Sequence, residues 1–66
     1  MFRIEVKFKG QDWEYFAHRK TLRGARGLAW SLTNFSGDFD SARVLDHTGR
    51  AVAHMRRGSK DPYGGY

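Results

Sequence analysis

The side chains that could act on another molecule are three histidines, seven acids and twelve Lys/Arg in a 66-residue chain. Chemistry on a substrate needs such groups to converge: a nucleophile with a base, two carboxylates about one bond, or a metal cluster. His18, His47 and His54 lack the i, i+4 spacing that grips a metal from one helix face, and no carboxylate recurs at a common offset from them. They read as surface or edge histidines, although His18 and His54 would approach each other on neighbouring strands. Asp38, Asp40 and Asp46 form the only acidic cluster, yet "GDFD" lacks the D-x-D-x-D-G spacing and later glutamate of a calcium loop. "RGARG" lacks the layout of a phosphate-cradling P-loop. There is no cysteine, which excludes disulfides and thiol redox chemistry and removes the usual zinc-ligand patterns. The expectation is a non-enzymatic chain with no catalytic residues, no metal and no cofactor.

What remains is charge. The formal net charge is +5, a balance that attracts anionic partners over long range. Nucleic acid is the first such partner and an acidic protein surface the second. The basic residues gather in two runs. "HRKTLRGAR" holds Arg19, Lys20, Arg23 and Arg26, and "MRRGSK" holds Arg56, Arg57 and Lys60. A charge run alone is a solvated surface; two runs and an aromatic become a site when the fold brings them together. No apolar stretch approaches the ~18 residues of a membrane span. No secretory signal is read either, because alternating charges begin at Arg3. A cytoplasmic protein without membrane contact is expected.

The elements that position these groups follow from periodicity. In "FRIEVKF", Phe2, Ile4, Val6 and Phe8 alternate with Arg3, Glu5 and Lys7, the period-two pattern of a strand with one buried face. "KGQD" supplies turn residues and "WEYFAHR" reads as a second strand, giving a hairpin. Its inward face is ambiguous; Trp13 and Tyr15 are taken as inward, Phe16 and His18 as outward. In "TLRGARGLAWSLTNF", Leu22, Ala25, Leu28, Ala29 and Leu32 fall at helical spacing behind Thr21 as N-cap, and Gly37 is a natural stop. Gly24 and Gly27 weaken this helix while letting it lie close to a sheet. "SARVLD" and "RAVAHM" flank "DHTG", a hairpin turn. The order β-β-α-β-β implies an α+β fold in two layers, one helix on a mostly antiparallel four-stranded sheet. Residues 1–60 form the single domain. The expected core is Phe2, Ile4, Val6, Phe8, Leu22, Leu28, Leu32 and Val44.

The tail "DPYGGY", residues 61–66, follows regular structure, since Pro62 cannot donate to a sheet. Tyr63 and Tyr66 argue against a plainly disordered end, so Asp61 to Tyr63 is expected to dock and Gly64 onward to be loose. With Trp13, "TLRGARGLAWSL", "DHTG" and "GSKDPYGG", the chain resembles a bacterial and phage family of small proteins known only as a domain of unknown function. That resemblance implies the strand-strand-helix-strand-strand fold; the family has no assigned activity, so it says almost nothing about function. Trp30 and Arg26 depart from it, where a charged or small residue and an apolar one would stand.

At 100° per residue Trp30 falls away from the apolar side of the helix, on the flank of Arg23 and Arg26. Three readings stand: a partner-contacting tryptophan, a core-edge residue, or a residue covered by the tail. As a contact it would stack on a base or anchor a protein interface. A third basic group, Arg3, Lys7 and Arg43, would sit on the sheet face away from the helix. Such faces bind single strands by stacking and phosphate contacts, although "FRIEVKF" does not match the aromatic pattern of RNA-recognition motifs. Two functions follow. The first is a nucleic-acid-binding module using Arg19, Lys20, Arg23, Arg26, Arg56, Arg57 and Lys60 for phosphates and Trp30 for stacking. The second is an inhibitor or adaptor docking on a host nucleic-acid machine, of the anti-CRISPR or anti-restriction type that phages and mobile elements encode, with Trp30 as anchor. Homodimerisation through the open sheet face or a sheet edge is compatible with both.

Overall fold

The structure, a computed structural model, describes residues 1–35 and 39–58. Strand β1 (Phe2–Lys7) and strand β2 (Glu14–Arg19) form the first hairpin; helix α1 (Leu22–Trp30) runs directly into a π-helical turn (Ser31–Phe35). Strands β3 (Ser41–Leu45) and β4 (Ala51–Arg56) form the second hairpin. The sheet order is β2-β1-β3-β4, every neighbouring pair antiparallel. The expected α+β architecture is therefore the observed one, with β1 and β3 central.

The alternation in β1 does what a half-buried strand must. Ile4 and Val6 point to the helix and are buried, with Ala42, Val44 and Met55 beside them. From the helix come Ala25, Ala29 and Leu32. Ala25 and Ala29 are fully buried; small residues at i and i+4 let the helix axis approach the sheet. Thr21 caps the helix, its Oγ1 accepting from the Gly24 amide at 3.1 Å. Gly24 packs against that cap, where a Cβ would meet Thr21 Oγ1 at 3.1 Å, so its small size serves the helix start. At the other end the buried Thr33 hydroxyl donates to the carbonyls of Ala29 and Trp30 at 3.0 and 3.1 Å, in the wider π turn. Asn34 then ties this turn to β4: its Nδ2 donates to the Arg56 carbonyl at 3.0 Å and its Oδ1 accepts from the Gly58 amide. The helix thus starts beside the end of β2 and finishes beside the end of β4, crossing the sheet diagonally.

Three expectations change. Phe8 lies past the end of β1, is 45% exposed, and stacks at 5.1 Å on Phe39 instead of entering the core. Phe2, Leu22 and Leu28 are partly buried against the core, outside its closed centre. Met55 and the alanines fill that centre. Trp13 and Tyr15 face away from the helix. The cause is a bulge. Ile4 pairs with Ala17 and Glu5 with Tyr15, leaving Phe16 as an extra residue. Alternation resets there, so Tyr15 and His18 share the outer face while Phe16 turns to Phe39 at 5.7 Å. Of the readings for Trp30, the core edge is the one seen: it is half-buried and packs on the core cluster. A helix ~10 Å wide is narrower than a four-stranded sheet, and a large flank side chain covers the margin that the helix leaves. The Gly37 stop, Asp38, Lys60 and the tail lie outside the described residues.

Thr21→Ala should lower stability in urea by about 1 kcal/mol, with Thr21→Ser near wild type. Equal loss in both variants would show that the hydroxyl is not the cap.

Candidate nucleic-acid interface

One helix covers one face of the sheet. The other face is built from alternate residues of each strand. Register places Lys7, Ser41 and Arg56 in one row, Tyr15, Glu5, Arg43 and His54 in the next, and His18, Arg3, Leu45 and Ala51 in the third. Four cations, Arg3, Lys7, Arg43 and Arg56, therefore share a surface with one carboxylate, Glu5.

Glu5 is 13% exposed and is held mainly by Arg43, whose Nε and NH2 lie 2.8 and 2.7 Å from its Oε1. Arg3 approaches the other oxygen at 3.5 Å and is itself 55% exposed. Trp13, just ahead of β2, lies over these groups. The Arg43 guanidinium is 4.4 Å from the indole centroid, Lys7 Nζ 5.2 Å, and His54 meets the ring edge-on at 5.8 Å. The indole draws cations by its negative π face and reaches from the sheet edge across to the groups of β3 and β4. At the far end Arg3 sits 4.9 Å over the Tyr15 ring, and Tyr15 Oη hydrogen-bonds His18 Nδ1 at 2.7 Å.

His54 has its pKa lowered below the ordinary imidazole value. Burial is the main cause, and the charges of Arg56, Lys7 and Arg43 add to it. The neutral imidazole is therefore favoured in the folded chain. Asp46, in the β3–β4 turn, has its pKa lowered by the Thr48 hydroxyl first, then by the Arg50 amide. Its Oδ1 accepts from the Thr48 amide at 2.9 Å and the Arg50 amide at 3.0 Å. Among the described residues no group of three or more acids or histidines could hold a metal ion. No described helix is long and apolar enough to cross a membrane.

The two basic runs do not meet. Arg19 pairs across from Phe2 at one end of β2, whereas Arg56 ends β4 beside Ser41 at the other. Three strand spacings and five residues of rise separate these corners by roughly 20 Å. Arg19 donates from NH1 to the His18 carbonyl at 2.7 Å, and Lys20 is exposed in the turn before the helix. Arg23 is exposed on α1, while Arg26 and Trp30 are half-buried there. Arg57 pairs with Asp40 at 3.4 Å, and Asp40 also accepts from the Lys9 amide, joining the two hairpin ends. Of the expected phosphate-binding residues that are described, only Arg56 belongs by register to the open face. Arg3, Lys7 and Arg43 do gather there as the alternation implied. Sequence reading missed Trp13, Tyr15 and His54; the aromatic content of "WEYF" was the available signal, concealed by the bulge. Comparison with protein-family models, curated proteins and solved structures finds no match to this chain.

A lowered histidine pKa sets the sign of a pH effect. Neutral His54 contributes stability that is fully present above about pH 6.5 and is lost as pH falls through its folded value. Urea midpoints between pH 7.5 and 5 should fall less steeply for His54→Gln than for the wild-type chain. Parallel curves would remove His54 from the cause.

Proposed function

We propose that this protein is a small binding module, without catalytic activity, that takes single-stranded nucleic acid on its open sheet face. The observation that carries the reading is Trp13 laid beside Arg43, Lys7 and His54 on a surface with one carboxylate. Unpaired bases present flat π surfaces to aromatic side chains, and their phosphates seek the cations alongside. A sheet of this width suits an extended strand better than a duplex, whose bases are stacked inside. Arg56 extends the row of Lys7 towards β4. Arg19 and Lys20 add to the attracting field from the corner next to His18. Arg23, Arg26 and Trp30, on the helical layer, form a separate surface.

A second reading has its own observation. Phe8, Phe16 and Phe35 are 45%, 44% and 81% exposed, and Phe8 and Phe16 both contact Phe39. Exposed aromatics of this kind mark protein contacts, as an inhibitor or adaptor would need.

Titration with unpaired and duplex oligonucleotides at two salt concentrations separates the readings. Unpaired strands should bind more tightly, with affinity falling as salt rises, since each phosphate contact releases counterions. Trp13→Ala should cost about 1–3 kcal/mol of binding and Trp13→Phe less. Lys7→Ala should flatten the salt slope by about one. Arg23→Ala/Arg26→Ala should leave both unchanged. No binding at low salt, or loss only in the Arg23/Arg26 variant, would reject the sheet face; capture of a protein partner lost on Phe16→Ser would establish the second reading.

A further inference from the structure

A trough of about 400 Å³ crosses the end of the sheet face, within the ~300–1,000 Å³ of small-molecule sites. Its lining is mostly apolar and includes Phe2 and Leu45, Tyr15 with His18, Arg3, and Asp46 with His47 of the β3–β4 turn. Leu45 is unusual: register puts it on the polar face, opposite Arg3, yet it is 9% exposed. Part of this lining is preformed. Tyr15 and His18 stack within 25° of parallel and share a hydrogen bond of 2.7 Å. The β3–β4 turn is set by the Asp46 carboxylate, which accepts from the Thr48 and Arg50 amides. A site whose lining is already ordered loses little freedom on binding.

We infer that this trough is a subsite for one unpaired nucleotide, the base lodged between the Tyr15–His18 pair and Leu45, and its phosphate held by Arg3. The inference deepens the single-strand reading and rests on it for the rest of the strand. A mostly apolar lining with aromatic rings matches a base, and a cation beside it matches a phosphate. Arg3 is suited to this role because Glu5 does not depend on it. Arg43 holds Glu5 at 2.7 Å against 3.5 Å for Arg3, so Arg3 can turn to a phosphate and leave Glu5 paired. The nucleotide beside Tyr15 and His18 and the stacking position at Trp13 would then follow one another along β2, Trp13 ahead of the strand, Tyr15 in its middle row and His18 in the last, and a strand would run along that edge.

The test is titration of the full chain with adenosine 5′-monophosphate, adenosine, ribose 5-phosphate and inorganic phosphate, followed by amide chemical shifts, beside a titration with an unpaired oligonucleotide. Adenosine 5′-monophosphate should shift Arg3, Tyr15, His18, Leu45 and His47 more than Lys7 or Arg43. Adenosine and ribose 5-phosphate should each bind more weakly. Tyr15→Ala should weaken the monophosphate roughly fivefold or more, and Tyr15→Phe less, since it keeps the ring and loses the hydrogen bond to His18. Oligonucleotide binding with no shift in the trough from the monophosphate would overturn the subsite and leave the sheet-face reading standing. Equal shifts from inorganic phosphate and the monophosphate would reduce the trough to an anion contact and overturn the base site. Failure of every ligand, oligonucleotide included, would reject both.

Discussion

A single nine-residue helix faces a four-stranded sheet, and most of the molecule follows from that inequality. The helix can bury one face. To do so from a narrow layer it meets the sheet through Ala25 and Ala29, so that Ile4, Val6, Val44 and Met55 close around it. Trp30 covers a margin that the helix leaves. Among the described residues the opposite face has no second layer. It satisfies itself instead with a self-contained cover in which Glu5 is shared by Arg43 and Arg3, and the Trp13 indole lies beside Arg43 and Lys7. A small domain with no disulfide gains order from that cover. The same cover leaves aromatic and cationic groups within reach of solvent.

The fold was legible where local rules agree with tertiary demand. The alternation of Arg3, Glu5 and Lys7 with Ile4 and Val6, the Thr21 cap and the turn beginning at Asp46 all act within a few residues, and each is found in place. The site was less legible because it depends on pairing between distant segments. One extra residue, Phe16, reverses the faces of β2. Periodicity within β2 cannot show this, since a bulge is defined only against its partner strand. Trp30 lies at the core edge, one of the three readings its angle left open, because angle around a helix says which way a residue points, not how wide the surface opposite is. The clustering of Arg19 with Arg23 and of Arg56 with Arg57 was visible in the chain. Their placement at opposite corners is a property of strand order.

Positive charge on the open face is arranged in depth. Arg43 lies beneath the aromatic cover, paired to Glu5, whereas Arg3 and Arg56 stand at the margins. His54 is kept neutral by burial and by its cationic neighbours. The outer face of β2 changes in kind along its length: a broad indole just ahead of the strand, then Tyr15, then a trough lined by Tyr15, His18 and Leu45 towards its end.

Trp13 and Trp30 report on the two competing surfaces, since one lies on the open face and the other on the helical layer. The most direct measurement is the shift of the two indole N–H resonances on addition of an unpaired oligonucleotide at low salt. Movement of the Trp13 signal, with the amides of Lys7 and Arg43, while Trp30 stays fixed, is the expected result. Movement of Trp30 with Arg23 and Arg26, or no movement of either indole, would contradict binding on the open sheet face.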